Sequence, residues 1–421
     1  MHIVVVGAGV VGTVTALTLA RAGHQVEIVE SAGAAATGAS FANAGLISPG
    51  HCFSWAEPGI GRAALRALLG RDEGLGICQP WSAALLRWGS LFLREGTHER
   101  WRANSQAALK LAAYSRDQLF RSATPASNAF GGHQHGILYL YGEQDHPGPD
   151  DATLLHEAGE PFTALDHEQL LAQEPMLRDA DIAFARAVHC PNDGTGDAAR
   201  YTRAALDEAS ALGVRIHFDE PVLALSQQGQ AVNGVTTARQ TYHADAVIVA
   251  AGLASSALLR PLGYRLPIYP VTGYSLSYRP APASSPRSGA VSIPHKIAWA
   301  AFGDDTMRFT GFADIGIPSH KQATARLAQL TEFAHLVCPP LARATPSQWI
   351  GQRPMTPDNL PFLGQSAHPG LWLNCGHSAM GWTMACGSAQ IIADLLQGRT
   401  PAIDLHPYRW NRYRRLSRQG D

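Results

Sequence analysis

HIVVVGAGVVGTVTALTLARAGHQVEIVE, residues 2–30, decides the fold class. Ile3 to Val6 is a short β-branched run that reads as a buried parallel strand. Gly7, Gly9 and Gly12 follow in G-x-G-x-x-G spacing, Thr13 to Ala22 reads as a helix ended by Gly23, and Gln25 to Val29 reads as a second strand closed by Glu30. Each glycine has a physical task in such a unit. Gly7 makes the tight turn, Gly9 lets the backbone approach a pyrophosphate, and Gly12 lets helix and strand pack closely. The helix N-terminus offers unpaired N–H groups and partial positive charge to phosphates. Glu30 comes eighteen residues after Gly12, where an acid binds ribose hydroxyls and disfavours the 2′-phosphate of NADP.

The next stretch, ATGASFANAGLISPG (residues 36–50), is rich in small residues that let backbone approach a flat ligand; an irregular loop is the plainer alternative. Further on, HCPNDGTGDAARYTRAALDEASALGVRIHF predicts a turn, a helix from about Asp197 and a strand near Val214 to Phe218. The apolar run Ala246 to Ala251 ends at Gly252, and LWLNCGHSAMGWTMACGSAQIIADLL predicts a strand, a glycine-rich turn and a helix from near Thr383. Strands alternating with helices imply one α/β domain, interrupted twice. The part expected to bind the dinucleotide cofactor is 1–50, 181–265 and 345–421, a discontinuous Rossmann-like domain. The expected α+β substrate-binding part is 51–180 and 266–344, with an antiparallel sheet built from GILYLYG, LPIYPVTGYSLSYRP, IPHKIAWAAF and MRFTGFAD and a surface hairpin loop at RPAPASSPRSG. Two glycine-rich strand-to-helix junctions call for a cofactor with an adenine end and a reactive ring, and a helix N-terminus at that ring stabilises negative charge on it.

The 421 residues carry 33 basic and 34 acidic side chains, so no general field attracts nucleic acid. No apolar run reaches membrane-spanning length, and MHIVVVGAG enters a strand with no basic segment before it. Cys52, Cys78, Cys190, Cys338, Cys375 and Cys386 form no C-x-x-C pair and read as free thiols of a reducing cytoplasm. GGHQHG (residues 131–136) reads as a polar turn, not a metal site. In WSAALLRWGSLFLRE, Trp81, Leu85, Trp88 and Phe92 recur at helical spacing near Arg87 and Arg94. Such a helix lies on a membrane surface or packs in the substrate part. The expected location is therefore cytoplasmic, with a peripheral seat on the inner face of the inner membrane under the first of those readings.

Together, VVVGAGVVG, ASFANAGLISPG, PNDGTGD, PVTGYSL, GQRPMTPDNLPFLG and GHSAMGWTMACGSAQIIADLL resemble FAD-dependent amino-acid oxidoreductases of the D-amino-acid oxidase and glycine oxidase superfamily, on the D-amino acid dehydrogenase side. The resemblance implies non-covalent FAD, since GQRPMT has no cysteine where covalently flavinylated relatives carry one. It places cofactor contacts at Gly7, Gly9, Val10, Val11, Gly12, Glu30 and Ser31, and at Ser40, Ala42, Asn43, Ala44, Gly45 and Leu46. Further contacts fall at Val222, Ala251, Gly252, Gly376, His377, Gly381, Trp382 and Thr383. It puts Arg353 over the flavin, gripping a substrate carboxylate; a guanidinium does so bidentately, and Pro354 and Pro357 stiffen the loop that holds it. An internal ion pair, with Asp358 for example, is the alternative for Arg353. Lys296 stands near the strand position where relatives carry a carboxylate-binding tyrosine, with solvent or a cross-strand acid as its other partner. Tyr274 and His295 are further candidates, and His377 lies in the flavin-wrapping turn. Ser378-Ala379 and Asp314 replace the Gly-Thr and Glu common in relatives. The implied reaction is oxidative deamination of D-amino acids to 2-oxo acids and ammonia, with hydride transfer to flavin N5 and electrons passed to a quinone or respiratory chain. A D-proline or D-hydroxyproline dehydrogenase, and an electron-relay or scaffold subunit, are the alternatives.

Overall fold

In the computed structural model, which describes residues 1–70, 72, 74–121, 130–279, 281, 285–303 and 305–413, the chain folds around two large sheets. The first begins with β1 (His2–Val6), whose Ile3, Val4 and Val5 are fully buried. Successive side chains of a strand point to opposite faces. Accordingly Ile3 and Val5 join the core beneath α1 (Val10–Arg21), while Val4 and Val6 join a second core on the other face. Each such side chain contributes ~1.5–3 kcal/mol on burial, which is why a β-branched run at the N-terminus becomes the centre of a sheet. The strand order is Phe362–Gln365, Leu371–Cys375, Ala246–Val249, β1, β2 (Gln25–Val29), Arg215–His217. All neighbours are parallel except Phe362–Gln365, which pairs antiparallel with Leu371–Cys375. The C-terminal helix Gly381–Leu396 and the helix Ala198–Ala211 pack beside α1.

The second sheet has the path Ser347–Met355, Tyr269–Tyr278, Thr306–Ile315, Ile297–Phe302, Gly289–Ser292, Ile137–Tyr141, Arg186–Cys190, Thr163–Asp166. It is antiparallel at most pairings, but Gly289–Ser292 runs parallel to Ile137–Tyr141, and Leu75–Ile77 joins parallel to Thr306–Ile315. Arg186–Cys190 and Ser347–Met355 thus belong to this sheet, so the boundaries expected near residues 181 and 345 fall one strand early. No change of composition marks where the backbone passes from one sheet to the other. The RPAPASSPRSG loop lies partly outside the described residues. Helix α2 (Ile60–Leu68) lies against the C-terminal end of α3 (Ala83–Glu95), and α3 packs on this sheet.

Candidate functional site

The five parallel strands of the first sheet end on one edge, where the crevice between β1 and Ala246–Val249 opens. β1 leaves on one side toward β2, so this is the switch point where open α/β sheets bind ligands. Gly7 has φ +108°, and a Cβ there would sit 2.8 Å from the Ala250 carbonyl oxygen, so strain and space both require glycine. A Cβ on Gly12 would sit 2.0 Å from Gly7 O, which makes Gly12 the close-packing position inside the first turn of α1. That helix starts at Val10, three residues before the expected start. At Gly9 a Cβ would meet only Ser40 Oγ, at 3.4 Å. The fold itself leaves room there for a side chain, so glycine at this position leaves the backbone open to the approach of a ligand. Val10 N–H donates to Ser40 Oγ (3.0 Å), while Val11 and Gly12 are first-turn residues whose N–H groups have no carbonyl within the helix. The Glu30 carboxylate accepts from Ala8 N–H (2.6 Å), Ala32 N–H (2.8 Å) and the Ser31 hydroxyl (3.0 Å), which fixes it beside the glycine turn. Glu220 N–H donates to Glu30 O, bringing half-buried Val222 to the same end, and Ala251 and Gly252 (φ +54°) close the Ala246–Val249 side. These residues fit the adenine, ribose and pyrophosphate of a dinucleotide.

Loop 40–46 forms the next wall. Gly45 (φ +70°) has Phe302 at 2.2 Å from a Cβ position, and its N–H donates to Asn43 Oδ1 (3.0 Å). Asn43 O in turn accepts from Arg308 Nη1 (3.1 Å), and Ala42 is buried while Ala44 and Leu46 are half-buried. Arg308 also donates to Asp197 (3.0 Å), the cap of Ala198–Ala211, so this buried pair ties the second sheet to loop 40–46. Nothing in the sequence pointed to Arg308: Asn43 and Asp197 lie more than a hundred residues away, and its remaining partner, Ser277 (2.9 Å), is on the neighbouring strand. At the far end, the Thr383 hydroxyl bridges Leu46 O and Ser48 N–H (3.3 Å each), and Trp382 Nε1 donates to Gly196 O (3.1 Å). Gly376 (φ +75°) and Ser378 (φ +51°) form the turn before Gly381, where the last helix begins without a side-chain cap. Its first-turn N–H groups are open to an electron-rich ring edge. Ser378 accepts from Thr356 N–H (3.0 Å), which joins this turn to the end of the Arg353 strand.

Arg353 lies on the edge strand Ser347–Met355, directly opposite Val271. Its Nη1 donates to Phe312 O (3.0 Å), and the guanidinium stands 5.9 Å from the Trp55 ring. Among the described residues no carboxylate lies within ion-pair distance of it; Asp358 is paired instead with Arg412 at 2.6 Å. Burial lowers the Arg353 pKa to about 10, opposed by the field of Asp314 and Tyr274, so the group stays charged at neutral pH. Phe312 itself has φ +63°, in a bulge where Thr272 pairs with Asp314 and Tyr274 with Gly311. That strain turns its carbonyl toward Arg353.

The other candidates separate. Lys296 has φ +54° in the turn before Ile297–Phe302, and its Nζ pairs with Asp72 at 3.1 Å; its charge is already taken up. Tyr274 is fully buried and donates to Asp314 Oδ2 (2.5 Å), which also pairs with Arg326 (2.9 Å); burial and Asp314 push its hydroxyl pKa up. Tyr274 therefore braces the bulge. His295 bonds Ser292 Oγ (2.6 Å). His377 is buried, its Nε2 lies 3.2 Å from Ser388 Oγ, and burial lowers it to about 3, so it is a neutral ring. His133, in the GGHQHG turn, pairs through its backbone with Thr195. The six cysteines are buried and form no disulfide.

The aromatic helix divides. Trp88 is buried, stacked on Phe92 (4.9 Å) and Tyr269 (5.8 Å), and donates to Met355 O; Leu85 is buried with it. Leu85, Trp88 and Phe92 are core, which corrects their reading as a membrane face. Trp81 is 84% exposed, and Leu86 and Leu93 are exposed on the opposite side of α3. No helix among the described residues is long and apolar enough to cross a membrane.

A family model described as FAD dependent oxidoreductase (DAO) matches residues 2–395. The chain is 40% identical over 412 residues to a D-amino acid dehydrogenase of Cereibacter sphaeroides, covering 96% of this chain and 93% of that one. It is 38% identical to one of Rhizorhabdus wittichii over 98% of this chain and 100% of the relative. Among solved structures it superposes on glycine oxidase from Geobacillus kaustophilus (TM-score 0.70, 22% identity, 98% of both chains). It also superposes on L-proline dehydrogenase from P. horikoshii (TM-score 0.72, 18% identity, 98% and 97%). The chain belongs to the FAD-dependent DAO oxidoreductase family.

Proposed function

We propose that this chain oxidises free D-amino acids to 2-oxo acids and ammonia, as the names of its relatives suggest. The observation that carries this reading is Arg353: a charged, half-buried guanidinium held by a peptide carbonyl and left without a carboxylate partner among the described residues. Such a group is expensive unless an anion meets it. A substrate carboxylate meets it at two points and is fixed in position and plane. When bound, FAD supplies the oxidising ring that takes a hydride from the substrate alpha carbon. The amine, bound neutral, releases a proton as its lone pair forms the C=N bond. Water then adds to that imine and ammonia leaves. Neutral His377 gives no charge to this chemistry, so catalysis rests on positioning by Arg353 and on the first-turn N–H groups of the Gly381–Leu396 helix. Anaerobic bleaching of the flavin by a panel of D- and L-amino acids, including D-proline and cis-4-hydroxy-D-proline, tests the reading. Bleaching by cyclic substrates alone would favour the imino-acid alternative, and none at all, with no dye reduction by the single chain, an electron-relay subunit.

The electron acceptor in this reading is a quinone or respiratory chain reached at the membrane surface. Exposed Leu65, Leu68 and Leu69 on and just after α2, with Trp81, Leu86 and Leu93 on and before α3, support it. Leu93 lies 4.0 Å from a Cβ position on Gly61, so the two helices adjoin, and Arg62, Arg66, Arg87 and Arg94 are exposed on them. An apolar patch with arginines suits an anionic bilayer. Flotation with phosphatidylglycerol vesicles, lost in Leu65→Glu/Leu86→Glu, is the expected outcome; equal flotation of the variant would remove this surface from the proposal.

A further inference from the structure

Arg353 shares its face of the edge strand with Gly351 and Trp349, because alternate residues of a strand point the same way. Gly351 lies directly opposite Gly273 of the neighbouring strand. Neither glycine has a positive φ that would demand its freedom, although Gly273 lies at the register shift between Thr272 and Tyr274 while Gly351 sits in an unbroken register with it. What each lacks is room. A Cβ on Gly273 would lie 2.6–2.9 Å from the nitrogens and carbon of the Arg353 guanidinium. A Cβ on Gly351 would lie 1.7 Å from the Trp349 ring. Directly opposed positions carry Cβ atoms ~5 Å apart, so the pair of glycines forms one bare floor on which guanidinium and indole lie side by side.

Aromatic rings flank this floor, with the small Ser275 directly opposite Trp349. Phe41, 41% exposed, stands 6.2 Å from the Trp349 ring and lies in the cofactor loop between Ser40 and Ala42. Trp55, 36% exposed, flanks Arg353 on another side. We propose that the paired-glycine floor builds a two-part substrate platform, in which Arg353 takes the carboxylate and Trp349 with Phe41 takes a bulky apolar or aromatic side chain. The substrate class is thus narrowed to hydrophobic and aromatic amino acids. A charged side chain would lose hydration against two exposed rings without gaining a partner. The inference rests on the proposed role of Arg353 and goes beyond it by assigning the other half of the amino acid.

Three variants of the holoenzyme test it: W349A, G351A, whose methyl group pushes the indole aside with tryptophan retained, and G273A, whose methyl group instead displaces the guanidinium. The readouts are the ratio of kcat/KM for D-phenylalanine over D-alanine, and the ratio of benzoate to acetate affinity by calorimetric titration. Removing an aromatic ring from a binding surface weakens binding on the order of tenfold, so both ratios should fall about tenfold or more in W349A and G351A. G273A should lower all four constants together and leave the ratios near their starting values. Ratios unmoved in both W349A and G351A overturn the platform. Arg353→Met is the control for the underlying reading. If it binds acetate and benzoate as the unsubstituted enzyme does, the carboxylate assignment fails; if it loses both while the two ratios stay fixed in W349A and G351A, only the platform fails.

Discussion

Replacing Arg353 separates charge from geometry. In Arg353→Lys the ammonium keeps the charge but cannot span two carboxylate oxygens in one plane. One charge-assisted hydrogen bond is worth ~1.5–3 kcal/mol, and a small misplacement at the reacting carbon costs about 100-fold in rate. A fall in kcat/KM of roughly 100-fold is therefore expected. Arg353→Met also removes the charge, so a loss of about 1,000-fold or more follows from two such bonds. The effect on the unliganded fold should be small. Burial works against the guanidinium, as its lowered pKa of about 10 indicates, so removing it relieves desolvation. Against that, Phe312 O loses its donor, at ~1–3 kcal/mol. The assay is steady-state turnover on D-amino acids with flavin content measured in the same preparation, together with thermal unfolding with and without benzoate. At about 100 times its Kd, benzoate should stabilise the unsubstituted enzyme by ~2.7 kcal/mol and leave Arg353→Met unmoved. Normal flavin content, collapsed kcat/KM and absence of the benzoate shift form the expected signature. Near-normal kcat/KM in Arg353→Met would refute the carboxylate role and leave Phe312 O as the group's only assigned partner.

Glu30→Gln should release FAD more readily, because a neutral amide weakens hydrogen bonds to ribose by ~1.5–3 kcal/mol; unchanged FAD retention on dialysis counts against the ribose role. Acid precipitation should free all of the yellow colour, and colour left in the pellet would mean a covalent flavin. Arg308→Met should lower stability by ~3–5 kcal/mol through the unpaired buried Asp197, read as a lower urea midpoint; a midpoint that does not move would show the pair to be dispensable. His377 adds a pH dependence: its folded pKa of about 3 lies below the 6.5 of an unfolded histidine. The unfolded chain alone takes up that proton, so the contribution is intact above pH 6.5 and lost as pH falls toward 3, at ~1.4 kcal/mol per pH unit. Urea unfolding at pH 7 and pH 5 should show a shallower loss in His377→Gln than in the parent, and equal losses would contradict it.

Local constraints made the cofactor end legible in the sequence. A β-branched run, three glycines, a helix and a terminal acid span fewer than thirty residues, and each is dictated by its immediate neighbours: a turn, a close approach, a strand end. Gly7 and Gly12 are required by contacts within or beside that unit, so their spacing is itself the record of the geometry. The same holds for the glycine turn before the last helix. The substrate end was set by contacts that no spacing records. Arg353 stood out as a charge in apolar company, but its freedom from an acid depended on Asp358 meeting Arg412 instead. Lys296 looked equally isolated, and only the fold brought Asp72 to it. Tyr274 became a brace because a bulge at Phe312 carried Asp314 beneath it. Period-two reading of WIGQR would have placed Trp349 on the face of Arg353, yet the floor beneath them needed Gly273, seventy-eight residues earlier, to be paired opposite Gly351. Hydrophobic period and backbone freedom are properties of a segment and can be read along the chain. The partner of a buried charge is a property of the packed sheet, where desolvation forces each group to find a counter-charge or to await a ligand.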